Sequence, residues 1–395
     1  MNHRTVPERY VRLCLRVGAH IEDFVDAYIG PTALKEEALA EGPHDPHRLR
    51  DEALALLEDA PGEGLEDDRV RWLLGQLRGL ACVTALLAGE DITWADEVER
   101  CFGIRPQHVD EELFRAGHTK LDEVLPGGGD LSSRYNAWLD AANVPAGKLP
   151  RAIHDLSAAL RRRTAEIVQL PSDERVAYET VRGESWEAFN AYRGDLRSDI
   201  QVNEDLPISL TSLVDIVAHE AYPGHHTERV CKEKLLYRDK ARLEMSVMIV
   251  SSPEVVITEG IATNALEAAL ANDGYGALLE DVGDLGIQVD PEVAEVVHVE
   301  EWRLFAAATN AARMLHEDGI TPRDAESYLR RWALYSPERA AKTVSFLLDP
   351  GSRTYVTAYT DGKRLCRSFM DRSDDGFLRL LTEQLTVSSL LGTDA

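Results

Sequence analysis

Positive charge is scarce in this chain of 395 residues. Lysine and arginine together number 43 against 69 aspartates and glutamates, which gives a formal net charge of −26 at pH 7. Nucleic acids and anionic membranes attract basic surfaces, so this balance opposes both kinds of partner. We therefore expect no nucleic acid and no membrane among its partners, and we interpret the acidity as a source of solubility.

Cysteine pairs and targeting segments are also missing from the sequence. The cysteines are five, an odd number, and they are widely spaced without a CxxC pair: Cys14, Cys82, Cys101, Cys231 and Cys366. Such a pattern is typical of reduced thiols rather than of a disulfide framework. The first 13 residues contain neither the apolar core nor the cleavage site of a signal peptide. These absences predict a cytoplasmic protein.

No long uninterrupted hydrophobic run occurs either. The most apolar stretch, 72–89, contains Gln76 and Arg78, so we predict a buried helix there and not a membrane span. Apolar residues recur at helical spacing through most of the first 170 residues, in segments 45–60, 69–89, 94–102, 111–125 and 149–170. Two regions are therefore predicted, a helical region 1–170 and a second region 171–395, which could also form one continuous domain.

The pattern changes after Pro171. Segments 174–181 and 198–208 alternate and are rich in β-branched or aromatic residues, which predicts two or three short strands in a small antiparallel insert. Helical spacing resumes at Ser209 and continues almost to the end, including 233–250, and Thr321-Pro322 is a typical helix start. The predicted fold class is mainly α, with the β insert directly before the helix that carries the chemistry.

That helix ends in the stretch LTSLVDIVAHEAYPGHHTERV. In the HExxH pattern, two histidines four residues apart bind zinc from one face of a helix, and the glutamate between them activates water. Here His219-Glu220 supplies the first half, but the position four after His219 is Pro223. Proline removes a backbone donor and opposes the preceding turn. We therefore expect the helix to end, bulge or kink near Tyr222.

The second histidine ligand must follow this break. His225 and His226 lie six and seven residues after His219. On an ideal helix, seven residues span about 10 Å, which is too far for one ion with bonds of about 2.0–2.1 Å. A broken turn at Pro-Gly could bring His225 back beside His219. We favour His225 as the ligand and keep His226 as the alternative.

A third protein ligand is expected at such a site, with an open position for water. Glu259 is the best candidate, because it lies in a segment rich in small residues that would let its helix approach closely. Glu254 and Glu267 are the alternatives. A site of two histidines and one glutamate suits zinc, so we predict one zinc ion per chain.

The motifs HEAYPGHH (219–226) and TEGIA (258–262) resemble those of the bacterial domain-of-unknown-function 885 family, whose members resemble zincin peptidases. Weaker similarities include FVDAYIGP (24–31) and the segment 191–207. The resemblance implies a mostly helical, gluzincin-like metallopeptidase fold in which the region 1–170 covers the cleft. It also implies that His219, Glu259 and either His225 or His226 bind the metal, and that Glu220 is the general base.

Other residues are candidates for contacts with the substrate. An oxyanion needs a donor besides the metal, and Tyr355, Tyr359, Arg353 and His316 are the candidates. Tyr355 and Tyr359 are predicted as catalytic donors, and His316 and Arg353 as substrate-binding residues. The edge of the strand in 198–205 could pair with an extended peptide, with Arg197 and Asn203 touching its backbone or carboxylate.

The predicted function is a zinc-dependent hydrolase that cleaves a peptide or amide bond of a small substrate, with Glu220 as general base. One alternative is a zinc amidohydrolase that acts on a non-peptide metabolite, which would use the same residues. Another is a catalytically silent helical scaffold. The presence of Glu220 argues against the scaffold, because a purely structural metal site does not need a base.

Overall fold

The computed structural model describes residues 4–40, 42–184, 186–205, 207–271, 274–282 and 286–393. Eight helices occupy most of the first 170 residues, as predicted: α1 (Val6–Gly18), α2 (Thr32–Ala40), α3 (Pro46–Asp59), α4 (Asp67–Leu87), α5 (Trp94–Phe102), α6 (Glu111–Val124), α7 (Leu131–Ala141) and α8 (Leu149–Ile167). Several begin at a side chain that caps the first turn. Asp45 accepts from the backbone of His47, and Thr93 accepts from that of Asp96.

Eleven further helices lie in the described part of the chain after residue 209: α9 (Leu210–Glu220), α10 (His225–Lys232), α11 (Pro253–Ala269), α12 (Gly274–Val282), α13 (Pro291–Phe305), α14 (Ala307–Arg313), α15 (Pro322–Trp332), α16 (Pro337–Leu348), α17 (Val356–Met370), α18 (Gly376–Thr382) and α19 (Val387–Leu391). Thr321 caps α15 in a capping box with Asp324, and Pro322 is its first residue. The mainly α class is confirmed.

The predicted β insert is present, but its pairing is mixed. Its strands are β2 (Arg175–Val181), β3 (Ala188–Gly194) and β4 (Arg197–Asn203), in the order β2-β4-β3. β3 and β4 form an antiparallel hairpin, whereas β2 runs parallel to β4. The purely antiparallel prediction was wrong. β2 and β3 lie on opposite sides of β4, so β2 pairs not with the next strand in sequence but with β4, which runs in the same direction. β4 is therefore central, with both edges paired, and cannot take up an extended peptide as the sequence suggested.

A second small sheet was missed. β1 (Val25–Tyr28) pairs antiparallel with β5 (Val247–Ile249). The helix predicted over 233–250 is wrong: a π-helical turn covers Glu233–Arg238, and Ala241 has a positive φ of 53° that a helix cannot continue through. The apolar residues of β5 are buried against a strand from the start of the chain, and no local pattern shows that partner.

The helix α4 occupies the stretch that the sequence singled out as most apolar. By length and composition it is the one helix in the described residues that could cross a membrane, and 56% of its most apolar window is buried inside the fold. Trp72, Leu73 and Leu77 of this helix belong to the larger of two clusters of buried hydrophobic side chains. Its buried face therefore packs in the core, as predicted. The division of the chain at residue 170 stays a prediction.

The helices α11 and α17 cross at two glycines. A Cβ on Gly260 would lie 2.5 Å from the carbonyl oxygen of Gly362 and would overlap the sulfur of Cys366. Near the crossing, the Asn264 side chain donates to the carbonyl of Lys363 over 3.0 Å. The predicted close approach through small residues is confirmed, and it places the start of α17 beside Glu259 of α11.

Candidate metal centre

A sharp turn separates α9 from α10. α9 ends at Glu220 and α10 begins at His225, so the break predicted near Tyr222 is confirmed. The Tyr222–Pro223 peptide bond is cis. The backbone N–H of Gly224 donates to Ala218 over 3.0 Å, and a Cβ on Gly224 would overlap the carbonyl oxygen of His219. Only glycine allows the chain to fold this closely onto the last turn of α9.

This turn brings His225 back beside His219, as predicted. Their ring centroids are 4.7 Å apart and their planes are nearly perpendicular, at 88°. Glu259 of α11 lies opposite, with Oε2 3.4 Å from His219 Nε2 and Oε1 3.7 Å from His225 Nε2. One ligand atom from each of the three residues lies within 4.8 Å of the others. Ligands bound tetrahedrally to one zinc ion are about 3.3–3.6 Å apart, so the spacing fits a single ion.

Unpartnered atoms in the cluster support the same interpretation. Glu259 Oε2 and His225 Nδ1 are buried, and neither has a hydrogen-bond partner among the residues that the structure describes. Buried polar atoms are nearly always satisfied, so the exceptions need an explanation. A cation would satisfy the carboxylate oxygen, and two histidines with one glutamate are a donor set that zinc accepts. The residues present therefore fit a zinc ion.

The alternative glutamates of α11 are engaged elsewhere. Glu254 accepts from Trp72 over 2.8 Å and from Lys232 over 2.6 Å. Glu267 accepts from Lys363 over 2.8 Å and from Arg367 over 2.9 Å. Both carboxylates are neutralised by lysine or arginine partners, which leaves Glu259 as the carboxylate of the cluster.

His226 lies away from the cluster, although it is adjacent to His225 in sequence. It is fully buried, with Nδ1 2.8 Å from Ser198 Oγ and Nε2 2.8 Å from Glu174 Oε2. Both ring nitrogens are thus hydrogen-bonded to the chain and neither is free for a metal. Glu174 also accepts from Tyr222 over 2.6 Å, so His226 ties the turn to the residue that precedes β2. The structure favours His225 over His226 as the ligand.

The two clustered histidines have opposite electrostatic surroundings. Burial lowers the pKa of His219, but the carboxylates of Glu259 and Glu220 outweigh it and raise the pKa to about 9. Burial lowers the pKa of His225 to about 3. The negative charge of Glu259 raises this pKa, but the positive charges of His219 and Arg229 oppose that rise. The pKa of Glu259 is held below its ordinary value, since the nearby histidines outweigh burial. The cluster thus keeps an ionised carboxylate available to a cation.

Glu220 is buried at the end of α9. The side-chain amide of Asn190 in β3 donates to the Glu220 carbonyl over 2.5 Å, which fixes the end of the helix. Burial raises the pKa of Glu220 to about 7, and Glu259 and Asp26 add to the rise while His219 opposes it. A carboxylate with a pKa near neutrality is suited to general acid–base catalysis.

Two tyrosines of the α17 segment lie at the cluster. The Tyr355 hydroxyl donates to Glu259 Oε1 over 2.6 Å. The ring of Tyr359 is 5.3 Å from that of Tyr355 and 6.3 Å from that of His219, measured between centroids. Burial and the charge of Glu259 raise the pKa of both phenols, so both keep their protons. Tyr359 is therefore available as a hydrogen-bond donor beside the cluster, whereas the hydroxyl proton of Tyr355 is already donated to Glu259.

The other predicted substrate contacts are engaged within the fold. Asn203 donates to the carbonyls of Glu184 and Trp186, both over 2.9 Å. His316 is 2.7 Å from the carbonyl of Leu347, and the Arg353 guanidinium donates to Glu97 over 2.9 Å.

The chain itself supplies partners for Asn203, His316 and Arg353, and the substrate roles predicted for these residues stay predictions. Arg197 is exposed at the start of β4, with Asp195 3.8 Å away. This ion pair belongs to the β3–β4 hairpin, and the substrate role of Arg197 stays a prediction.

Sequence reasoning missed several residues around the cluster. Asp26 of β1 forms an ion pair of 3.1 Å with Arg229, which lies one turn after His225. Asp215 lies one turn before His219 on α9 and accepts from the indole of Trp302 over 3.4 Å. Two signals could have found them. Asp26 belongs to the FVDAYIGP motif, and Asp215 and Arg229 each lie four residues from a predicted ligand.

Comparisons with known proteins bear on the fold. No protein-family model and no curated protein matches the chain. A proposed lipoprotein from Colwellia psychrerythraea superposes with a TM-score of 0.56 at 12% identity, covering 91% of this chain and 68% of that one. A proposed lipoprotein of unknown function from Shewanella oneidensis gives 0.49 at 14% identity, covering 98% and 82%. An M32 carboxypeptidase from Deinococcus radiodurans R1 gives 0.37 at 11% identity, covering 98% and 89%. The first of these shows a shared fold.

Proposed function

We propose that this protein is a zinc-dependent hydrolase that cleaves a peptide or amide bond of a small substrate. The observation that carries the proposal is the cluster of His219, His225 and Glu259, whose ligand atoms lie within 4.8 Å of one another. The residues of the cluster come from the two motifs that resemble the domain-of-unknown-function 885 family, which supports a distant relation to that family.

The residues around the cluster have distinct roles in this proposal. His219, His225 and Glu259 would hold the ion, which supplies a Lewis acid and lowers the pKa of water toward neutrality. Glu220 takes the proton from the attacking water on its carboxylate and delivers it to the leaving nitrogen. Tyr359 donates a hydrogen bond to the oxyanion, and Tyr355 orients Glu259 through the 2.6 Å hydrogen bond.

We also propose a cytoplasmic location, which is supported by five free and buried cysteines of the kind found in reducing compartments. The protein from Colwellia psychrerythraea is described as a proposed lipoprotein, which suggests a different location. Fractionation of the source cells separates the two. We expect the protein in the soluble fraction, and recovery with the membranes would contradict this location.

The catalytic role of Glu220 is tested with Glu220→Gln. We expect the zinc-loaded wild type to cleave members of a library of short peptides and non-peptide amides. The variant should keep its zinc and lose activity by roughly 100-fold or more, because the amide cannot accept the proton. Glu204→Gln is the matched control, since Glu204 pairs with Arg182 at the surface. A Glu220→Gln protein as active as the wild type would rule out this role.

A further inference from the structure

A row of aromatic rings leads away from the metal cluster. Beyond Tyr355 and Tyr359, the ring of Phe305 lies 5.9 Å from that of Tyr359, and the ring of Trp302 lies 5.5 Å from that of Phe305. Both contacts are edge-to-face, which is the favourable arrangement for aromatic pairs. All four rings are only partly buried. We call these four residues the aromatic wall.

The far end of the wall is held in place by polar groups. The indole N–H of Trp302 donates to Asp215 over 3.4 Å, and the ammonium of Lys363 lies 5.2 Å from the centre of the Trp302 ring. Lys363 is itself fixed by Glu267 at 2.8 Å and by the carbonyl of Thr263 at 2.6 Å. Little conformational freedom remains for the indole, so little would be lost when a ligand packs against it.

The helices bring these groups to the same side of the cluster. Asp215 lies one turn before His219 on α9, Thr263 one turn after Glu259 on α11, and Lys363 one turn after Tyr359 on α17. The wall is therefore continuous with the metal ligands, because the ring of Tyr359 lies 6.3 Å from that of His219. A substrate group next to the cleaved bond would therefore be the first to contact the aromatic wall.

The chemistry of the wall selects an apolar ligand. The polar atoms of Trp302, Tyr355 and Lys363 are already hydrogen-bonded to Asp215, Glu259 and Glu267. Apart from the hydroxyl of Tyr359, which the proposed function assigns to the oxyanion, what the wall offers to a ligand is the surface of its rings. Aromatic rings bind other rings and large apolar groups, and each buried CH₂ adds to the affinity.

We propose that the aromatic wall is a specificity subsite, which binds an aromatic or large aliphatic side chain adjacent to the scissile amide. This inference rests on the proposed function and names the class of its substrate. Trp302 and Phe305 are the residues that determine the specificity, since they lie further from the metal ligands than the two tyrosines.

Two hydroxamates provide the test, because both chelate zinc through the same group. One is acetohydroxamate and the other carries a benzyl group in place of a hydrogen of its methyl. We expect the zinc-loaded wild type to bind the benzyl compound at least about tenfold more tightly, as measured by calorimetry. Phe305→Ala and Trp302→Ala should each reduce this ratio severalfold while the zinc content stays at one per chain.

Matched variants separate the subsite from general effects on folding. Phe346→Ala removes an exposed phenylalanine of α16 and should keep the wild-type ratio. Phe305→Leu and Trp302→Leu keep most of the packed volume and replace the two alanine variants if those fail to fold. They should still lower the ratio, because the ring surface is lost.

The two proposals fail in different ways. Zinc-loaded protein that binds both hydroxamates equally, or variants that leave the ratio at the wild-type value, would overturn the subsite and leave the metal site standing. Protein that takes up no zinc and binds neither hydroxamate would overturn the proposed function, and the subsite with it. A wild-type preference that both Phe305 and Trp302 variants reduce supports the inference.

Discussion

At the level of single residues, two adjacent histidines have different surroundings. His225 has an unpartnered ring nitrogen and faces His219 and Glu259, whereas both nitrogens of His226 are hydrogen-bonded. The sequence favoured His225 on the argument that Pro-Gly breaks the helix. It could not show what His226 contacts, because Ser198 and Glu174 lie far from it in the chain.

The two histidines are distinguished by alanine substitution. His225→Ala should abolish zinc binding, because it removes one of three ligands. His226→Ala should keep one zinc per chain but lower the free energy of unfolding by about 2 kcal/mol, since it removes the buried hydrogen bonds of His226 to Ser198 and Glu174. Elemental analysis and urea unfolding measure the two effects. Zinc lost from His226→Ala and kept in His225→Ala would reverse the assignment.

Glu174 makes a second residue-level prediction, about pH. Burial would raise its pKa, but hydrogen bonds from His226, Tyr222 and Arg161 outweigh burial and lower the pKa to about 2. A carboxylate whose pKa is depressed by folding stabilises the protein above its unfolded-state pKa, and this contribution is lost as the pH falls through the folded-state value. Glu174 should therefore stabilise the fold fully above about pH 5 and progressively less toward pH 2.

Glu174→Gln tests this dependence. The variant should lower the free energy of unfolding by roughly 3 kcal/mol at pH 7, and the difference from wild type should shrink as the pH approaches 2. Glu204→Gln removes a surface ion pair and should cost no more than about 1 kcal/mol at any pH. A difference for Glu174→Gln that stays constant from pH 7 to pH 2.5 would disprove the depressed pKa.

At the level of elements, local signals predicted the helices well and the strand pairing poorly. Caps such as Thr93 and the capping box at Thr321 are read directly from neighbouring residues. β1 and β5 pair although they are distant in the sequence, and β2 pairs parallel with β4 instead of antiparallel with β3. Local patterns show neither pairing. The turn between α9 and α10 was predictable as a break, since Pro223 forces one, but its direction depends on backbone packing at Gly224.

Gly224→Ala tests the turn. Its Cβ would overlap the carbonyl of His219 and lie 2.5 Å from that of Ala218, so the turn must open. We expect a loss of at least about 3 kcal/mol in the free energy of unfolding, with loss of zinc binding because His225 moves away. Gly128→Ala is the control, since no atom lies within 4 Å of its added Cβ. A Gly224→Ala protein with normal zinc content would show that the turn does not position His225.

At the level of the whole molecule, the three residues proposed to bind the metal come from α9, α10 and α11, and Tyr355 adds the start of α17. An ion at this cluster binds the folded chain and not the unfolded one, so it should stabilise the fold. The spacing of apolar residues predicted the mainly helical class, and the charge balance predicted an acidic protein. Neither could predict which distant helices meet, because that depends on glycine contacts such as the one between Gly260 and Gly362.

Thermal unfolding should therefore depend on zinc. Free zinc at about 100 times its Kd stabilises a folded protein by about 2.7 kcal/mol, which corresponds to a rise in Tm of roughly 3 °C for a chain of this size. His219→Ala should show no rise under the same conditions. A Tm that zinc leaves unaltered in the wild type would indicate that the cluster does not bind it.

The most direct measurement is the zinc content of purified, untagged protein by elemental analysis, for the wild type, Glu259→Ala and Glu267→Ala. Both glutamates lie on α11, but only Glu259 belongs to the cluster. We predict about one zinc per chain in the wild type and in Glu267→Ala, and none in a folded Glu259→Ala. A wild type that contains no zinc and takes up none when it is added would contradict the metal site, and with it the hydrolase.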